Sequence, residues 1–130
     1  MANDIGEIPQ PTRTELTILN ILWDKGPSTV REVHEALNQE ETSGYTTALK
    51  MLQVMHQKGQ VVRDDSERAH VYHAAVSKDQ TQKLFLADLA NRLFDGSTSH
   101  LALQALGSAP HANPEEIERI RELLTRLDDE

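Results

Sequence analysis

The chain has 130 residues, no cysteine, and 13 Lys+Arg against 21 Asp+Glu, a net charge of −8. The acidic balance excludes a general nucleic-acid packer while leaving room for a local basic docking face, and the lack of thiols excludes disulfide scaffolds, thiolate metal clusters and cysteine nucleophiles. No apolar run approaches the roughly 20 residues of a membrane span, and Met1–Gln10 has neither the basic nor the apolar region of a signal peptide; a soluble cytoplasmic protein without membrane insertion is expected.

Met1–Gln10 is polar and reads as a flexible lead-in. Thr12 and Glu15 have the spacing of a capping box, which opens a first helix with an apolar stripe of Leu16, Leu19, Leu22 and Trp23, ended by Gly26-Pro27. A second capping box, Thr29 to Glu32, starts a helix whose inner face is Val30, Val33 and Leu37. The polar stretch from Gln39 to Gly44 leads to a third helix, about Thr46 to Lys58, with Ala48, Met51, Leu52 and Met55 turned inward and Gly59 as its stop. Gln60–Asp64 and Ala69–Ala74 have strand character and flank a charged turn, so a β-hairpin is expected there. Three helices followed by a hairpin is the element order of a winged helix-turn-helix.

Beyond this the pattern is helical. Ser77 and Gln80 cap a helix running to about Phe94, with Leu86, Leu89 and Leu93 on one side and Gly96 as its break. A short helix near Ser99–Leu106 is expected to stop at Gly107, followed by a loop over Ser108–Ala112. Asn113 and Pro114 then open a final helix, in which Ile117, Ile120, Leu124 and Leu127 form a short heptad-like seam. The fold class expected is mainly α with a small β-hairpin wing. It consists of a winged-helix DNA-binding domain over residues 1–76 and a helical dimerisation domain over residues 77–130.

In a helix-turn-helix the third helix enters the major groove. With its apolar stripe inward, Thr46, Thr47, Lys50 and Gln53 fall on the open side, supplying hydroxyls, an amide and a cation for base edges and phosphates, and Tyr45 precedes them. From Thr42 to Arg63 there is no acidic residue, whereas Lys50, Lys58 and Arg63 are present. Such a face also suits an ordinary solvated helix; the element order tips the balance towards DNA. Arg68 at the hairpin tip is either a wing contact or part of a solvated turn beside Asp64, Asp65 and Glu67, and Arg31 either grips a phosphate or is a surface charge.

These segments resemble the penicillinase-repressor (BlaI/MecI/CopY) family of winged-helix regulators. The resemblance is carried by Thr14–Trp23, by Val30–Leu37, by Tyr45–Gln53 continuing to Lys58-Gly59, and by Arg68–Tyr72. It departs at Leu49, Lys50 and Val54, where the family often has Arg, Thr and Arg respectively, and no C-terminal cysteine motif of the copper-responsive branch is present. The resemblance implies a homodimer on a palindromic double-stranded operator, with the C-terminal helices as the dimer interface. Leu86, Leu89, Leu93, Ile117, Ile120, Leu124 and Leu127 are the candidate interface residues. The alternative for the seam of the last helix is packing within one subunit; because the N-terminal domain already has its own core, the intersubunit role is favoured. In the β-lactam branch a membrane-bound sensor metalloprotease triggers cleavage in the C-terminal domain; the corresponding stretch is Leu101–Leu106, and Gln104-Ala105 stands where that branch has Asn-Phe.

Two rival readings are a winged helix used as a protein-interaction module and a metal-sensing repressor. The six histidines, His34, His56, His70, His73, His100 and His111, are scattered, and no H-E-x-x-H, P-loop or G-x-S-x-G motif appears. No metal site, no cofactor and no enzymatic activity are expected.

Overall fold

A computed structural model describes residues 8–39, 44–108 and 113–129. The lead-in over residues 1–7, most of the polar stretch at 40–43, and the loop at 109–112 with His111 lie outside the described residues. The element order is α1 (Arg13–Lys25), β1 (Ser28–Thr29), α2 (Val30–Leu37), α3 (Tyr45–Lys58), β2 (Val61–Asp64), β3 (Val71–Ala74), α4 (Lys78–Leu93), α5 (Thr98–Ser108) and α6 (Pro114–Asp128). The chain divides into two compact units, Met1–Phe85 and Leu86–Glu130, with the division inside α4.

In the first unit the helix starts are set locally. Thr12 and Thr29 each accept from the backbone amide three residues on, and Glu15 and Glu32 return the bond to the cap backbone, so both capping boxes are complete. Gly59 ends α3 at φ 86°, ψ 9°, a left-handed geometry that a Cβ penalises. The three strands form one antiparallel sheet in the order β1-β3-β2, with Ser28 opposite Tyr72 and Arg63 opposite Tyr72 on the other side. The hairpin is as expected from its alternation. β1 is an addition: two residues have no periodicity of their own, and they become a strand only because β3 offers a free edge.

The core of this unit joins Ile18, Leu19 and Leu22 of α1, Val30, Val33 and Leu37 of α2, Ala48, Leu52 and Met55 of α3, and Val61 and Tyr72 of the sheet. Each such side chain contributes on the order of 1.5–3 kcal/mol through burial. Two details differ from the sequence pattern. In α1 the buried stripe is Glu15, Ile18, Leu19 and Leu22, with Leu16 and Trp23 only half-buried, so the helix is rotated by about one position. In α3, Met51 is half-buried at the edge of the stripe.

The rotation of α1 follows from a buried charge. Glu15 is 4% exposed, and its Oε2 accepts from Lys58 Nζ at 2.7 Å while Oε1 accepts from the Thr12 amide at 3.0 Å. Burial alone pushes this carboxyl up; hydrogen bonds from Lys58, the Thr12 backbone and Gln60, with the Lys58 charge, outweigh it and hold the group below its ordinary value. The first turn of α1 is thereby tied to the last turn of α3, the helix carrying the candidate docking face.

The second unit is built differently. α6 starts as expected, with Asn113 accepting from the amides of Glu115 and Glu116 and Pro114 at its head. α5 continues through Gly107 to Ser108, because a glycine inside a helix costs only about 1 kcal/mol and Ser108 bonds back to the Gln104 carbonyl. Neither α5 nor α6 contains a buried residue.

Candidate nucleic-acid interface

α3 presents its two faces cleanly. Ala48, Leu52 and Met55 are fully buried, while Thr46, Thr47, Lys50 and Gln53 are exposed and Tyr45 is 48% exposed. The helix opens on Gly44 with no side-chain cap hydrogen bond among the described residues and with no acid in its own first turn, which leaves the positive end of the helix dipole without an anion from within the helix. The Tyr45 ring meets the His34 ring of α2 edge-on at 5.8 Å, and Asn38 Nδ2 lies 3.0 Å from His34 Nε2. α2 thus supports the entry to α3, a role for His34 that spacing alone did not indicate.

A groove of about 540 Å³ runs between the start of α2, one side of α3 and the sheet with its turn. Of the residues singled out in the sequence, it brings together Arg31, Tyr45, Gln53 and Arg68; Thr46, Thr47 and Lys50 are not among its lining residues. Arg31 is 81% exposed and pairs loosely with Glu35, its Nε 3.5 Å from Oε2. Arg68 sits in the exposed turn between β2 and β3. Leu49 also lines the groove and packs half-buried on the core.

Two groove residues were not among the candidate DNA-binding residues: Arg63, counted only as a cation of the acid-free stretch, and His70, counted only among the scattered histidines. Arg63 Nε lies 2.8 Å from Asp65 Oδ1, and His70 Nε2 lies 3.6 Å from the same oxygen. The signal for Arg63 was available: strand alternation from Val61 places it on the inner face, where a charge is unusual. The signal for His70 was not, since the expected strand included it and the observed β3 begins at Val71.

The leucines singled out in the C-terminal helices are largely open. Leu86, Leu89 and Leu93 are 52%, 39% and 68% exposed, and Leu124 and Leu127 are 58% and 56% exposed. Ile117 and Ile120 are half-buried. Among the described residues no group of three His, Asp or Glu converges as a metal site, and no helix is long and apolar enough to cross a membrane.

Three packed helices, an exposed face on the third and a strand pair beyond it define a winged-helix domain of the kind used by DNA-binding regulators. The family model of the penicillinase repressor matches residues 11–126, and the chain belongs to that family of transcriptional repressors, which are not enzymes. The transcriptional regulator BlaI of Mycobacterium tuberculosis, matched in two strains, is 28% identical over 115 residues, covering 88% of this chain and 82% of the relative. The solution structure of the monomeric form of Bacillus licheniformis BlaI in complex with the blaP half-operator is 25% identical with a TM-score of 0.49, covering 55% of this chain and 88% of that one.

Proposed function

We propose that the protein is a cytoplasmic repressor that holds a palindromic operator as a homodimer. Tyr45, Thr46, Thr47, Lys50 and Gln53 face the DNA from α3, with Arg31 and Arg68 flanking them. The observation that carries this reading is the division of α3 into a buried apolar face and an uncapped, acid-free polar face, in a chain whose net charge is −8. Keeping acids off one helix of an acidic protein is what local attraction to phosphates requires.

Dimerisation is assigned to residues 77–130, with residues 1–76 as the DNA-binding domain. The open leucines of α4 and α6 support this, because apolar helix faces of that kind call for a partner in water. Two linked half-sites then raise affinity without further base contacts. Release by a membrane-bound sensor protease would act on α5, where Gln104 and Ala105 are exposed but helical, so the cut needs local unwinding.

A nuclease footprint on the DNA upstream of the protein's own gene tests the reading. Two protected half-sites about one helical turn apart are expected. No protection at any salt concentration would favour a protein-interaction module instead.

A further inference from the structure

The groove beside α3 contains one cation that is fixed rather than free. Alternation along β2 places Val61 and Arg63 on the side of the buried Tyr72, while Val62 and Asp64 face outward. Arg63 therefore leaves the core side of the sheet at the wall of the groove, with its side chain 29% exposed. Tyr72 stands directly across the strand pair from it, and the tyrosine is the leading influence that holds the guanidinium's pKa above its ordinary value. Its Nε stands 2.8 Å from Asp65 Oδ1, an ion pair that holds the guanidinium at the groove wall. The other two arginines of the groove are not held in this way. Arg31 is 81% exposed, and Arg68 makes no ion pair among the described residues.

We propose that Arg63 is a phosphate-binding residue of the DNA interface, positioned in the groove between α3 and the β2–β3 turn by Tyr72 and Asp65. The proposal rests on the reading that this face docks duplex DNA. A phosphate is the group that fits: three guanidinium groups line one groove with the amide of Gln53, a donor set that selects a dense negative charge over a base edge. A half-buried cation also loses less side-chain freedom on binding than an exposed one, because its direction is already set. Phosphate contacts fix register without reading sequence, so Arg63 should matter equally for operator and non-operator DNA.

The test is a salt titration of binding to two duplexes of equal length, one carrying the inverted repeat upstream of the protein's own gene and one of random sequence. Arg63→Gln is expected to weaken both by roughly 5–10-fold at 0.1 M salt and to reduce the slope of log affinity against log salt by about 1. Arg63→Lys, which keeps the charge and loses the fork, is expected to restore the slope and only part of the affinity. Tyr72→Phe keeps the ring in the core and removes only the hydroxyl; it should lower affinity about 2–3-fold with the salt slope unchanged, the signature of a positioning residue. If Arg63→Gln and Tyr72→Phe both bind like wild type while Lys50→Ala is impaired, the role of Arg63 is overturned and the docking face stands. If wild type binds neither duplex even at low salt, the docking reading and this proposal fall together.

Discussion

The two compact units differ in how they use their leucines. In Met1–Phe85 the large apolar side chains close on one another, so that Ile18, Leu19, Leu52, Met55 and Tyr72 are 0–1% exposed. In Leu86–Glu130, Ala90 is the one buried hydrophobic among the described residues, whereas Leu93, Leu103, Leu124 and Leu127 are each more than half exposed. Both stretches are amphipathic in sequence. The difference teaches that periodicity reports only which face is apolar, not whether the same chain covers it. The unit spans only Leu86–Glu130, close to the length of about 40 residues below which chains usually fold by adding a staple or a partner.

The sharpest way to break this comparison is to separate the units. Cutting after Phe85 keeps Val76 and the buried Thr81 with the first unit. The fragment is expected to sediment as a folded monomer and to lose about 100-fold or more in operator affinity, the effect of losing linked binding. A truncated protein that still dimerises would place the interface in the first unit. Next in size is a pair of leucine truncations. Leu52→Ala is expected to cost about 2–5 kcal/mol of unfolding free energy at any protein concentration. Leu124→Ala should leave the first unit unchanged and shift the melting temperature only through its dependence on concentration. Equal behaviour of the two variants in dilution would erase the distinction.

A smaller effect probes the charge inside the first unit. The Glu15 carboxyl is held below its ordinary value of 4.5 in the folded chain. Its stabilisation is therefore complete above that value and is lost as pH falls through the lower folded one. Urea denaturation between pH 6 and pH 3 should show this acid limb. Glu15→Gln should remove it, at a cost of about 1–2 kcal/mol at neutral pH. The smallest expected changes are on the open face of α3: Lys50→Ala should weaken operator binding about 5-fold and reduce its salt slope by about 1, and Thr47→Ala should weaken it about 3-fold. Anisotropy with a labelled duplex measures both.

How much could be read in advance depended on the range of the forces involved. Thr12, Thr29, Ser77 and Asn113 announce helix starts because a cap and its amide are two or three residues apart. Gly59 and the hairpin are legible for the same reason. Glu15 looked like a capping acid and is one, but its ion pair with Lys58 spans 43 positions and has no local signature. β1 exists only through pairing with β3, so Ser28 and Thr29 read as a linker and a cap. At the candidate interface, the exposed residues of α3 followed from helical spacing once Ala48, Leu52 and Met55 were assigned inward. Arg63 needed the strand register as well, and His34 needed the approach of α2 to Tyr45.

The sole tryptophan has a consequence for experiment. Trp23 Nε1 donates to the Val76 carbonyl at 2.9 Å, fastening the end of α1 to the chain just before α4 begins. An indole in that bond emits at a wavelength and intensity set by whether the segment is docked. The protein thus carries its own optical probe where α1 is fastened to the segment that leads into α4. Any signal that loosens that joint would be visible without a label.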